Sequence, residues 1–150
     1  MRRAILGVTL AITAGAGAAR AADYVVVRST DPGIRAGLTL NGGQRIDLGS
    51  GQTLTLIAAA GDVTLLKGSA TGAVAPARRT AQADAGKLES LRVLIDPPPS
   101  GRTFGGRRGG VCPDPANLKT VDDIISVQQS GCASSARAAL ETLAVHAEQP

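Results

Sequence analysis

Short runs of alternating apolar and polar residues, each closed by a glycine-bearing turn, fill the first half of the chain after its leader. Tyr24-Val25-Val26-Val27-Arg28 is a β-branched run ended by Asp31-Pro32-Gly33. Leu38-Thr39-Leu40 runs into Asn41-Gly42-Gly43. Arg45-Ile46-Asp47-Leu48 places Ile46 and Leu48 on one face, and Thr53-Leu54-Thr55-Leu56-Ile57 buries Leu54 and Leu56 together. Val63-Thr64-Leu65-Leu66-Lys67 follows the Gly61-Asp62 turn and stops at Gly68. Strands this short and this regularly spaced predict an antiparallel β module over 22–68, a small sandwich or barrel.

The pattern then changes. Residues 69–86 carry Ala, Gly, Thr, Pro and Arg without a sustained apolar period and read as a linker. From 87 to 150 the periodicity is helical, interrupted by a Gly/Arg/Pro-rich loop. Leu88, Leu91, Leu94 and Ile95 share a stripe that Pro97-Pro98-Pro99 must end. Thr120 and Asp123 form an approximate capping box ahead of Val121, Ile124, Ile125 and Gln128, and Gly131 is a helix stop. Ser134 or Ser135 is expected to cap a last helix with Ala136, Ala139, Leu140 and Leu143 on one side. The fold class is therefore α+β: the β module first, then short C-terminal helices.

The leader is a stretch of another kind. Met1-Arg2-Arg3 is a short basic start, Ala4 to Ala19 is apolar, and Ala19-Arg20-Ala21 is an A-x-A site. This is the pattern of a secretory signal over residues 1–21, cut between Ala21 and Ala22. No later segment is apolar enough to span a bilayer. A periplasmic or secreted product is expected.

Export changes the reading of charge and of cysteine. The formal net charge of the whole chain is +4. Arg2, Arg3 and Arg20 would leave with the signal, and the remaining 13 Lys and Arg nearly balance 12 Asp and Glu. Nothing in that balance calls for nucleic acid as a partner. Cys112 and Cys132 are the two cysteines, and in an oxidising compartment they are expected to form one disulfide. Such a bond contributes about 3 kcal/mol through the unfolded chain's lost entropy.

Residues 36–68 resemble the FecR-type periplasmic β domains. Gly37-Leu38, Gly43-Gln44-Arg45-Ile46, Leu54-Thr55-Leu56 and Gly61-Asp62-Val63 occupy the places of that pattern's glycine-ended steps and strands, while Ala60-Gly61-Asp62 replaces its Asp-Gly-Ser turn. The resemblance implies a sensing or scaffold role and carries over no functional residue.

Candidate chemistry is sparse. The segment 101–110 places Arg102, Arg107 and Arg108 among glycines whose N–H groups are free to meet an anion or an acidic protein surface. It lacks the spacing of a nucleotide loop. Arg78-Arg79 reads as a solvated pair. Asp122 and Asp123 are adjacent and so diverge on a helix, where they offset its N-terminal dipole. His146 has no catalytic partner in the sequence. No catalytic set, metal site or cofactor motif emerges. The expected function is an exported, non-enzymatic binding or accessory module with a protein partner in the cell envelope. The rival is a small secreted enzyme or enzyme inhibitor that uses the Gly-Arg loop 101–110.

Overall fold

The computed structural model describes residues 22–77, 85–99 and 111–149. The α+β arrangement is the one expected, with a β-rich N-terminal half and three C-terminal α-helices. Strands β1 (Tyr24–Ser29), β2 (Thr39–Leu40), β4 (Thr53–Ala58) and β5 (Val63–Lys67) form one antiparallel sheet in the order β2-β1-β4-β5. Strands β3 (Arg45–Ile46) and β6 (Ala73–Val74) pair antiparallel as a second, two-stranded sheet. Helix α1 spans Ala85–Ile95, a 3-10 helix Pro115–Asn117, α2 Val121–Gln129 and α3 Ala133–Glu148.

The four-stranded sheet separates two apolar layers. Tyr24, Val26, Leu54, Leu56 and Ala58 face Ile46, Leu48, Ala73 and Ala75 of the small sheet and its flanks. Val25 and Ile57 face Leu88, Leu91 and Leu94 of α1, Val121, Ile124 and Ile125 of α2, and Ala136, Ala139 and Leu140 of α3. The strand and helix segments thus share a core. Leu54 and Leu56 are buried together as alternation predicts. Thr55 and Ile57 between and beyond them are buried as well, because helices cover the other face of β4.

The stretch 69–86, expected as a linker, contributes β6 before the described residues break off at 77. Ala73 and Ala75 are buried there, too small to mark a strand by hydropathy. The return from β5 depends on Gly68. A Cβ at that position would lie 1.9 Å from the Gly49 carbonyl oxygen, so only glycine lets the two segments cross.

Strand β1 carries a β-bulge. Val26 pairs with Leu56 and Arg28 with Thr55, so Val27 is an extra residue in the ladder. Plain alternation would put Arg28 on the face of Val26. The bulge turns it to the helical face instead, beside Thr55.

The helix signals are met with one correction. Thr120 caps α2 through a complete capping box: its Oγ1 accepts from the Asp123 N–H at 3.1 Å, and the Asp123 carboxylate accepts from the Thr120 N–H at 3.2 Å. Thr120→Ala is expected to cost about 1 kcal/mol, read as a lower denaturation midpoint at unchanged m-value. Gly131, at φ 96°, reverses the chain after α2. The next helix then starts at once, with Cys132 as its N-cap and no side-chain cap bond. Ser134 and Ser135 are inside the first turn and are not caps, since Ala136 N–H already donates to the Cys132 carbonyl at 3.1 Å. The Cys132 sulfur is engaged elsewhere, in the expected bond to Cys112, with Cα atoms 5.6 Å apart.

Candidate functional site

A depression among the described residues lies between the 3-10 segment and the outer half of α3. Pro115, Ala116, Leu118 and Lys119 make one wall, and Ala139, Thr142, Leu143 and His146 the other, around about 360 Å³. Both walls follow from local sequence. The i, i+3, i+4 and i+7 spacing of Ala139, Thr142, Leu143 and His146 aligns them along one side of α3. On the opposite wall Asp114 starts the 3-10 turn: its Oδ1 accepts from Ala116 N–H at 2.9 Å, and Leu118 N–H returns to the Pro115 carbonyl at 3.1 Å. Pro115 at the first position suits such a turn, having no N–H to satisfy.

The groove has an apolar floor and a polar rim. Ala139 is buried, and Leu118 and Leu143 are half-buried extensions of the helical core. Lys119 and His146 are exposed at the edge. Thr142 spends its hydroxyl on the Ala138 carbonyl at 2.9 Å, a back-bond within the helix. No carboxylate lines the groove. The arrangement holds neither an activated nucleophile nor a paired acid and base. It offers apolar contact flanked by an ammonium and an imidazole.

The loop wall is fastened at both ends. The Cys112–Cys132 bond ties its start to the first turn of α3, and Thr120 leads directly into α2, which packs along α3. The groove is therefore set before anything enters it. Further ties hold α3 to the rest of the fold. Arg137 donates from Nε and Nη2 to the Leu94 carbonyl at 3.1 and 2.9 Å, satisfying the C-terminal end of α1. Thr55 Oγ1 donates to Glu148 Oε1 at 2.7 Å, and the bulge brings an Arg28 nitrogen to 3.7 Å from the other carboxylate oxygen. Half-exposed as it is, that ion pair is worth at most about 1 kcal/mol. On α1, Arg92 donates to Glu89 at 2.8 and 2.6 Å and draws that exposed carboxyl below its ordinary pKa, but no α1 residue lines the groove.

Of the residues singled out from sequence, His146 lines the groove. Asp122 and Asp123 diverge as expected: Asp122 reaches Lys87 at 2.5 Å, and Asp123 serves the capping box. Cys112 and Cys132 are joined. Arg102, Arg107, Arg108, the pair Arg78-Arg79 and Ala21 lie outside the described residues, while Ala22 begins them. Lys119, Thr142 and Leu143 acquire their place only by folding, because the two walls are some twenty residues apart in sequence. Among the described residues no group of three or more His, Cys, Asp or Glu is arranged to hold a metal ion, and no helix is long and apolar enough to cross a membrane. Comparison with known proteins finds no matching family model, no similar curated protein and no similar solved structure.

Proposed function

We propose that this chain is an exported, periplasmic, non-enzymatic binding or accessory module that serves a protein assembly of the cell envelope. The observation that carries the reading is the fastened groove: Leu118, Ala139 and Leu143 at its floor, Lys119 and His146 at its rim. Such a surface suits an apolar side chain that has an acidic neighbour, offered by a protein partner. The disulfide supports export, since such bonds persist in oxidising compartments. The likeness of residues 36–68 to FecR-type β domains supports a sensing or scaffold role. The near balance of charge after residue 21 favours a protein partner over nucleic acid.

Site-specific photo-crosslinking in producing cells tests the reading. A benzophenone side chain at Thr142 is expected to give one discrete higher-mass adduct, and Lys119→Glu is expected to weaken it. The same probe at Ser50, exposed in the turn before β4, is expected to give none. Equal adducts at both positions, or none at Thr142, reject the groove as the binding surface.

A further inference from the structure

Strand β5 ends the four-stranded sheet, and its backbone shows which groups are left over. Ala58 N–H donates to the Asp62 carbonyl at 2.9 Å, and Gly68 N–H to the Gln52 carbonyl at 2.8 Å. In the register that joins Thr53 to Lys67 and Ile57 to Val63, those bonds fix the alternation of the whole ladder. Thr64 and Leu66 turn their N–H and C=O groups towards β4. Val63, Leu65 and Lys67 turn theirs outward, and no bond among the described residues engages them. The edge thus presents three N–H and three C=O groups in strand geometry, a template for another strand.

The side chains agree with the backbone. Val63 extends the helical core and Leu66 the sandwich core, but Leu65 belongs to neither, although it is only half-exposed. It is an apolar residue at the middle of an open edge. On the other border of the sheet, β2 is two residues long and offers little to pair with.

We infer that β5 is a self-association surface, on which a second copy of this chain adds its own β5 antiparallel about a two-fold axis at Leu65. The outward residues make this register self-complementary. Leu65 faces Leu65 of the second copy, and Val63 faces Lys67 of the second copy, so every outward N–H meets an outward C=O. The two Lys67 side chains stand four residues apart along the paired strands, about 13 Å. Each lies towards the end of the opposing strand that carries Asp62. A parallel pairing in register would set Lys67 against Lys67, and like charges facing each other across strands are unfavourable. The two-fold pairing joins the sheets of both copies edge to edge and leaves both helical layers on one side.

Sedimentation and amide hydrogen exchange on the mature chain test this together. A concentration-dependent dimer is expected. On dilution to monomer the amides of Val63, Leu65 and Lys67 lose protection, while those of Thr64 and Leu66 keep it. Lys67→Pro removes one outward donor per copy and no bond to β4. It is expected to weaken the dimer at least about tenfold, whereas Lys67→Ala leaves it near wild type. A chain that stays monomeric at every concentration overturns the inference. So does a dimer whose Val63, Leu65 and Lys67 amides exchange freely, or one that Lys67→Pro leaves unweakened. The exchange pattern is read on the unmodified protein, so a poorly folded variant does not blunt the test.

Discussion

Replacing Leu91 by alanine lowers the unfolding free energy by about 2–5 kcal/mol. The side chain is fully buried at the middle of α1, in the layer that holds Val25 and Ile57 of the sheet together with α2 and α3. Helix α1 has eleven residues and buries only Leu88, Leu91 and Leu94, so its docking depends on a narrow stripe. Removing the central member takes away transfer free energy and leaves a void that neighbours on three helices and two strands must collapse to fill. The contrast is Leu38→Ala, where the side chain is 46% exposed and an effect within about 0.5 kcal/mol is expected. Chemical denaturation followed by circular dichroism measures both. A single transition with a lower midpoint and unchanged slope is the expected form of the Leu91 result. A loss below about 1 kcal/mol would mean that α1 is not docked on this core.

Opening the Cys112–Cys132 bond is the other large change, worth about 3 kcal/mol. Twenty positions separate the cysteines, and the bond mainly restricts the unfolded chain over that span. The double variant Cys112→Ser, Cys132→Ser and the reduced wild type should therefore lose similar amounts. Intact mass gives the accompanying check, a two-hydrogen difference between oxidised and reduced protein with no intermolecular dimer through sulfur. The effect should also be local. Without the bond the 3-10 wall keeps only its α2 anchor, so the Thr142 adduct should weaken in the double variant even where it is fully folded. Equal stability with and without reductant would remove the disulfide from the account of how the C-terminal half is held.

Much of this architecture is legible in the sequence because its signals are local. Alternation in 53–57, the glycine turns and the Leu88-Leu91-Leu94 stripe each act within a few residues. So does the Thr120–Asp123 box, whose geometry needs only its own turn. What is hidden depends on the tertiary setting. Thr55 reads as the polar, outward member of β4, yet it is 2% exposed because α3 covers it and Glu148 receives its hydroxyl hydrogen. Strand β6 is hidden because its one buried residue is Ala73, which carries little hydropathy, and its other residue, Val74, is exposed. Ser134 and Ser135 look like caps, but Gly131 starts the helix too early for either to act. The groove is least legible of all. Leu118 and Leu143 are ordinary apolar residues until the disulfide and α2 bring their segments side by side.

The bulge in β1 has a consequence for how the chain tolerates changes in length. A strand is a parity code: each residue gained or lost swaps the two faces for everything beyond it. Val27 is the slack in that code, having no partner while its neighbours keep theirs. Its removal would let Arg28 move up one place and still meet Thr55, with Tyr24, Val25 and Val26 undisturbed on the near side and Ser29 on the far side. Val25, Val26 and Val27 are identical, so loss of any one of them gives the same chain and the same closure of the bulge. A second deletion has no such allowance: it leaves Tyr24 one step out of phase, its aromatic ring aimed at the helices. Within this strand, the spare position is what separates a harmless shortening from an inverted sheet.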